Sequence, residues 1–233
     1  MYCYSRCDLV QKKIVKSYEE WLKPRPNKKH ITEKPKKLDG RIMFPTSHDI
    51  HDDNIERVLI YLKQWLKAGN EILITSKPRY SCIRRICLEL FDYKDQIVFR
   101  FTIGSTHNDT LKFWEPNAPT FQERLKSLET AKLLGFETSV SCEPYLDASI
   151  INIVEVVSPY VTDTVWVGKM NQIERRVDTT GWTPEDFIYL KYVKDYQTDE
   201  QVKKLYEALK GNPKVRWKDS IKKVLGLPEE DIG

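Results

Sequence analysis

The feature that most constrains the fold is a regular alternation of two kinds of segment between residues 41 and 171. Short runs rich in β-branched and aromatic residues, each bounded by turn-forming or charged residues, indicate β-strands. Five such runs occur, at 41–46, 71–77, 97–105, 137–144 and 163–171. Between them, apolar residues recur three or four positions apart, as in Ile55, Val58, Leu59 and Leu62, which indicates amphipathic helices. This alternation predicts right-handed crossovers and a parallel sheet covered by helices.

Two architectures fit an α/β chain of this kind: an open doubly wound sheet, and a complete or partial barrel. No GxGxxG segment follows a predicted strand, and the GxxxxGK[ST] phosphate-binding pattern is absent. The nucleotide-binding doubly wound folds are therefore disfavoured. We expect an α/β fold that forms a partial (β/α)6 TIM-like barrel, followed by a C-terminal helical extension.

Composition excludes several classes of protein. The chain has 233 residues, 40% hydrophobic and 31% charged, which is enough for one sizeable core. It contains no run of about 18 apolar residues and no signal-peptide pattern, so we expect a soluble cytoplasmic protein with no membrane partner. Five cysteines in such a chain argue against a disulfide framework and leave metal binding, redox chemistry or burial as their roles.

Residues 23–40 carry much of the net charge of +4 and contain three prolines but few apolar residues. This composition is typical of a solvated linker. A basic linker can also contact nucleic acid or another polyanion, which leaves nucleic acid open as a partner.

Polar residues are concentrated at or just after the C-terminal ends of the predicted strands. They are Thr46, Ser47, His48 and Asp49; Ser76 and Lys77; Thr102, Ser105 and Thr106; Glu143; and Lys169 and Asn171. The C-terminal ends of parallel strands converge on one edge of a sheet, where side chains from different strands can surround a ligand. The alternative is that these residues cap the helices that follow.

Five segments resemble the radical S-adenosylmethionine superfamily, in its spore photoproduct lyase-like and DNA repair photolyase-like branch. They are YCYSR (2–6), MFPTSHD (43–49), ITSKPR (74–79), FWEPNAPTFQERL (113–125) and SCEP (141–144). The signature of that superfamily is C-x3-C-x2-C, and Tyr2-Cys3-Tyr4 is similar to its third cysteine. The resemblance thus implies that Cys3 is a metal ligand.

The resemblance also implies the chemistry. Three thiolates hold three irons of a 4Fe–4S cluster and leave the fourth iron for the amino and carboxylate groups of S-adenosylmethionine. An electron from a donor such as flavodoxin or ferredoxin then cleaves the sulfonium, and the resulting 5′-deoxyadenosyl radical acts on an unknown substrate in a lyase-like reaction.

The cysteine spacing departs from the signature of the superfamily. Cys3 and Cys7 have the spacing of its first pair, but Val10 stands where a third cysteine would be required. Cys3 is therefore the expected ligand, matched to the third position of the signature. We expect the chain to be truncated within the CxxxCxxC loop, to lack the first barrel strand and to be inactive as it stands.

The same resemblance implies which residues bind the cosubstrate, and it names no catalytic residue. Lys77 matches a lysine near the carboxylate of S-adenosylmethionine, and Ser76 beside it is a hydrogen-bond donor. Ser105, with Thr102 as its substitute, lies where a hydroxyl contacts the ribose or methionine part. Glu143 ends its strand where it can accept hydrogen bonds from ribose hydroxyls.

Two further sets of residues follow from position along the chain. Arg124 reaches the site from the helix after the WEPNAP loop, and its alternatives are exposure to solvent or pairing with a neighbouring carboxylate. Cys82, Cys87 and Cys142 lie among apolar neighbours, and we expect them to be buried thiols.

These expectations divide the chain into four parts and leave a second function open. The parts are a remnant of the cluster loop and first helix at 1–22, the basic linker at 23–40, the partial barrel at 41–171 and a helical extension at 172–233. The alternative function is a non-catalytic protein on a decayed barrel that binds nucleic acid or another partner.

Overall fold

The computed structural model describes residues 34–228, together with Tyr2, Lys13, Ile14, Lys16 and Glu20. At its centre lies a six-stranded sheet in which every pair of neighbouring strands is parallel. The strands are β1 Arg41–Phe44, β2 Glu71–Ser76, β3 Ile97–Thr102, β4 Glu137–Cys142, β5 Val165–Val167 and β6 Val215–Trp217.

Helices connect the strands. They are α1 Ile55–Lys67, α2 Tyr80–Glu89, α3 Asn108–Trp114, α4 Phe121–Leu133, α5 Ile150–Val157, α6 Ile173–Arg176, α7 Asp186–Tyr196, α8 Asp199–Leu209 and α9 Asp219–Leu225. Short 3-10 helices at Phe91–Gln96 and Ser158–Tyr160 follow α2 and α5. Thr120 and Thr198 begin α4 and α8, because their side chains accept hydrogen bonds from main-chain amides of the first turn.

The strands lie in the sheet in the same order as in the sequence. A doubly wound sheet reverses its strand order at a switch point, and no reversal occurs among these six strands. Because parallel crossovers are right-handed, a sequential order places all the connecting helices on one face. The predicted α/β architecture with a parallel sheet is therefore confirmed.

Five of the six strands lie where the sequence predicts them, and the sixth, β6, was not predicted. β6 has three residues and lies in the region expected to be helical only. A strand this short carries too little alternation to be recognised, and its pairing with β5 defines it. In the described part of the chain, β1 and β6 are the two edges of an unclosed sheet, so the partial barrel stays a prediction.

The two faces of the sheet differ in chemistry. On the face beneath the helices, the side chains with 0% exposure include Ile72, Ile74, Phe99, Phe101, Val140, Cys142, Val165 and Val167. The opposite face, called the open face below, contains the half-buried side chains Leu73, Thr75, Arg100, Thr102, Ser141 and Trp166. A parallel sheet covered by helices on both sides would be apolar on both. The open face instead mixes polar and apolar side chains, and Val98 and Ser139 on the same face are buried.

Helix α5 has the most apolar sequence of the crossovers and buries Ile150, Ile153, Val154 and Val157 against the covered face. It has only eight residues. Among the described residues, no helix combines the length and the apolar character that crossing a membrane requires.

The loops that follow β3 and β4 touch at Gly104. Its carbonyl accepts a hydrogen bond from the Leu146 amide at 2.8 Å. A Cβ atom at this position would lie 2.7 Å from the Pro144 carbonyl oxygen and 3.0 Å from Leu146 side-chain atoms. A main-chain oxygen has little freedom to move, so only glycine fits here.

We expect Gly104→Ala to lower the free energy of unfolding by about 1–3 kcal/mol, the usual range for overpacking. Gly211→Ala is the matched control, because nothing lies within 4 Å of a Cβ built there. Urea denaturation of both variants measures the difference. Equal midpoints for the two variants would contradict the close packing of these loops.

Candidate functional site

A row of side chains crosses the C-terminal end of the open face. Thr102 on β3 pairs with Ser141 on β4, and Ser141 pairs with Trp166 on β5. Lys77 directly follows Ser76, the last residue of β2, which pairs with Phe101. Lys77 therefore extends the row on the β2 side, and we call Lys77, Thr102, Ser141 and Trp166 the rim row.

The hydroxyl groups of Thr102 and Ser141 make no hydrogen bond to any residue that the structure describes. Both side chains are half-buried. The hydroxyls of Ser76, Ser105 and Ser139, by contrast, each have a protein partner. Two adjacent hydroxyls that are accessible and unpartnered are well suited to hydrogen-bond a ligand.

Asp49 binds Lys77 through both the main chain and the side chain. The Lys77 amide donates to Oδ1 of Asp49 at 2.7 Å, and Nζ lies 3.3 Å from Oδ2. The Ser76 hydroxyl donates to the same Oδ1 at 3.1 Å and accepts from the Ile50 amide at 3.0 Å. These contacts join the loops after β1 and β2 at the edge of the sheet.

A buried ion pair lies next to Lys77. Arg124 Nη2 is 2.6 Å from Glu115 Oε2, and the two side chains are 0% and 4% exposed. The guanidinium also donates to the Pro119 carbonyl at 2.8 Å and to the Thr102 carbonyl at 3.2 Å. The hydroxyl of Tyr2 donates to the other Glu115 oxygen at 2.6 Å. Pairing with a carboxylate, one of the alternatives considered for Arg124, is thus what the structure shows.

The pKa values around this pair show why the charges persist. Burial by itself raises the pKa of Glu115, but the Arg124 and Lys77 charges outweigh it, and the pKa lies below its ordinary value. Burial lowers the pKa of Lys77, and the Asp49 and Glu115 carboxylates reverse this effect and raise it. Burial and the Glu115 carboxylate both raise the pKa of Tyr2. Two cations, two anions and a neutral phenol therefore balance at neutral pH.

Glu143 lies after β4, towards the β6 side of the rim row. Its carboxylate is 3.4 Å from Lys218 Nζ and accepts a hydrogen bond from Asn171 Nδ2 at 3.4 Å. Lys218 Nζ also lies over the Trp166 ring, 5.0 Å from its centroid, and the Arg100 guanidinium lies 5.4 Å from the same centroid. The Glu143 side chain is 28% exposed, so the carboxylate is accessible from outside.

Ser105 is buried within a loop network. Its hydroxyl donates to Asp147 Oδ2 at 2.5 Å and accepts from the His107 amide at 2.8 Å. The residue is 0% exposed. The predicted contact between Ser105 and a ligand stays a prediction, and the observed partners of its hydroxyl are protein groups.

The structure brings together most of the predicted binding residues. Lys77 and Thr102 lie in the rim row, Ser76 contacts the Asp49 that binds Lys77, and Arg124 contacts the Thr102 carbonyl from within the fold. Glu143 lies on the far side of the rim row, and Ser105 belongs to the separate loop network.

Cysteine positions bear on the predicted cluster. Cys82, Cys87 and Cys142 are buried free thiols, as expected. Burial raises the pKa of Cys82 to about 11 and that of Cys87 to about 12, so both are protonated at neutral pH. The described residues contain no group of three His, Cys, Asp or Glu side chains suited to a metal ion. Cys3, the predicted ligand, and Cys7 lie outside the described residues.

Sequence reasoning did not identify the partners of the predicted residues. Asp49 is one of the polar residues at the C-terminal ends of the predicted strands, but no sequence pattern indicates that it contacts Lys77. Glu115 is signalled indirectly, because an arginine on a buried helix face requires a carboxylate. Lys218 and Asp147 carry no comparable signal, since their contacts join segments that are 75 and 42 residues away in sequence.

Comparison with known proteins supplies no family assignment: no protein-family model matches the chain, and no curated protein matches it. The geometry of the rim row and the motifs of the sequence therefore remain as the basis for a function.

Replacing one member of the buried ion pair should destabilise the fold strongly. We expect Glu115→Gln and Arg124→Met each to lower the free energy of unfolding by about 3–5 kcal/mol, because each leaves a buried charge unpaired. The double variant Glu115→Leu/Arg124→Met should recover a large part of this loss. Urea denaturation measures all three, with Glu200→Gln in the exposed pair with Lys204 as a control of small effect.

Acid should remove the stability that Glu115 contributes. The pKa of Glu115 in the fold lies below its ordinary value of 4.5, so the unfolded chain binds the proton first. This contribution is complete above pH 4.5 and is lost as the pH falls towards the lowered value. Denaturation midpoints measured at decreasing pH should fall less steeply in Glu115→Gln than in the wild type. An equal acid dependence in both proteins would contradict the lowered pKa.

Proposed function

We propose that the rim row of the open face binds S-adenosylmethionine, as the resemblance to the radical S-adenosylmethionine superfamily implies. The observation that carries this proposal is the pair of hydroxyls on Thr102 and Ser141, which have no partner among the described residues, with the Lys77 ammonium on one side and the Glu143 carboxylate on the other.

The chemistry of the row suits an amino acid joined to a nucleoside. The three N–H donors of the Lys77 ammonium exceed what its single side-chain contact with Asp49 uses, so donors remain for a carboxylate. Thr102 and Ser141 can each donate and accept. Glu143 is an acceptor that fits ribose hydroxyls, and its exposed fraction leaves it accessible. Each predicted role thus has a matching group at the same edge of the sheet.

The sheet topology supports the finer architecture in the same proposal. In a barrel wall, helices cover the outside and the other face lines an interior, which is the division observed here between the apolar face and the open face. Sequential strand order is also the order of a barrel. We therefore propose that this sheet is a partial (β/α)6 barrel whose interior side is the open face.

Iron–sulfur chemistry is not part of the proposed function of the described residues. The cluster would supply the electron that cleaves the sulfonium, and its ligation requires three thiolates. The three described cysteines are buried thiols with raised pKa values and form no ligand group, so they do not fit that role. Their own contribution is to the packing of the core. What the open face contributes is binding and orientation of the cosubstrate.

Isothermal titration with S-adenosylmethionine tests the proposal. Wild-type protein should bind, and Thr102→Val and Ser141→Ala should each weaken binding about two- to tenfold, the loss expected for one hydrogen bond. Neither hydroxyl has a protein partner among the described residues, so the urea midpoints should stay unchanged. Thr130→Val on α4, a helix of the covered face, is the matched control and should bind like the wild type.

Two results would contradict the proposal. One is absence of S-adenosylmethionine binding by folded wild-type protein, and the other is unchanged affinity in the Thr102→Val/Ser141→Ala double variant. Binding of DNA with a steep salt dependence, in protein that does not bind S-adenosylmethionine, would favour the non-catalytic alternative.

A further inference from the structure

A second polar cluster joins the loops that follow β3 and β4. Asp147 Oδ1 accepts hydrogen bonds from the Ser149 amide at 2.9 Å and the Ser149 hydroxyl at 2.5 Å. Its Oδ2 accepts from the Ser105 hydroxyl at 2.5 Å and lies 3.0 Å from His107 Nδ1. The Asp147 side chain is 11% exposed, whereas the His107 side chain is 65% exposed. A buried carboxylate thus positions an exposed imidazole.

Neither capping of helix α3 nor the need of Asp147 for hydrogen-bond donors explains why His107 contacts Asp147. His107 occupies the residue before α3, yet its side chain makes no capping hydrogen bond to the helix. Asp147 already receives three hydrogen bonds from Ser105 and Ser149, so the carboxylate does not need the histidine as a donor. The hydrogen bonds among Asp147, Ser105 and Ser149, with the Thr106 amide bound to Ser149, already join the two loops.

The contact with Asp147 determines where the proton lies on the imidazole. A carboxylate oxygen only accepts, so Nδ1 carries the hydrogen and Nε2 of the neutral ring has a free lone pair. No hydrogen bond to Nε2 occurs within the described part of the chain. A proton taken up at Nε2 leaves the Nδ1–H group bonded to the Asp147 carboxylate, so the ring keeps its orientation. This combination is the one that general acid–base catalysis uses.

We propose that His107 is an acid–base residue at the C-terminal edge of the sheet and that Asp147 is its positioning residue. Its partner is a ligand with an ionisable O–H or N–H group. In the forward direction the O–H or N–H bond breaks, the electron pair stays on the ligand and the proton moves to Nε2. The reverse step returns the proton, so no oxidant or reductant is involved.

The cluster of His107 and Asp147 lies on the same loops that follow the strands of the rim row. The role proposed for His107 does not require that the rim row binds a ligand. His107 is five residues after Thr102 in the loop from β3, and Asp147 is six residues after Ser141 in the loop from β4. The two loops are in direct contact through the hydrogen bond between the Leu146 amide and the Gly104 carbonyl. The His107 cluster and the rim row therefore lie at the same edge of the sheet.

Nitrogen-15 NMR of the imidazole rings provides the first test. The chain has four histidines, and His107→Gln assigns the resonance. In the neutral wild-type ring we expect the proton on Nδ1. Asp147→Asn keeps an oxygen towards the Ser149 amide and turns an amide NH2 towards Nδ1, so the proton should move to Nε2. A wild-type ring with its proton on Nε2 overturns the proposal, and this result does not require the variant to fold.

Acylation by diethyl pyrocarbonate provides the second test, because the reagent reacts with an unprotonated ring nitrogen. His51 is the internal reference for the amount of reagent, with its Nδ1 3.5 Å from Asp53 Oδ2 and its side chain 33% exposed. Because the His107 side chain is 65% exposed, the comparison that isolates Asp147 is the His107 rate, divided by the His51 rate, in the wild type and in Asp147→Asn. Mass spectrometry of peptides should show this ratio several-fold lower in Asp147→Asn, and an equal or higher ratio in the variant overturns the proposal. Both tests omit S-adenosylmethionine, so their failure is distinct from failure of the proposed function.

Discussion

The right-handedness of the crossovers determines which face of the sheet the helices cover, and the chemistry of both faces follows from this. Six parallel strands in sequential order, each joined by a right-handed connection, place their helices on one side of the sheet. The apolar stripes of the helices then require apolar side chains on that side, as the buried Ile74, Phe99, Val140 and Val165 show. The opposite side has no such requirement, so polar residues are tolerated there. The same geometry places the loops that follow the strands at one edge.

At the edge where the strands end, each buried charged group lies beside a group of opposite charge. The hydroxyls of the rim row, by contrast, are neutral. Glu115 and Arg124 form one ion pair, and Asp49 and Lys77 form the adjoining pair. An unpaired buried charge here would be costly, whereas an accessible hydroxyl can form its hydrogen bonds with water. The ion pairs therefore stabilise the edge, and the Thr102 and Ser141 hydroxyls of the rim row have no protein partner among the described residues.

Local pattern predicted the strands and helices because alternation and helical spacing are properties of neighbouring residues. β1 to β5 lie within the predicted runs. β6 was missed since a three-residue strand is defined by its partner and not by its own sequence. The pairs Glu115–Arg124 and Asp147–His107 depend in the same way on which loops the fold brings together, although the type of residue needed beside a buried arginine is predictable.

Alternation along each strand also decides which predicted residues lie on the open face, and the sequence alone is enough to predict this. Ser76 has the same parity on β2 as the buried Ile72 and Ile74, so it points to the covered side and bonds with Asp49. Thr102 has the parity of Arg100 and not of Phe101, so it points to the open face. A shift of one residue in the register of β3 would exchange Thr102 for the Phe101 ring and remove the hydroxyl. The apolar packing of Phe99 and Phe101 beneath the helices therefore holds Thr102 in the rim row, and the buried core and the position of the Thr102 hydroxyl on the open face are two consequences of one register.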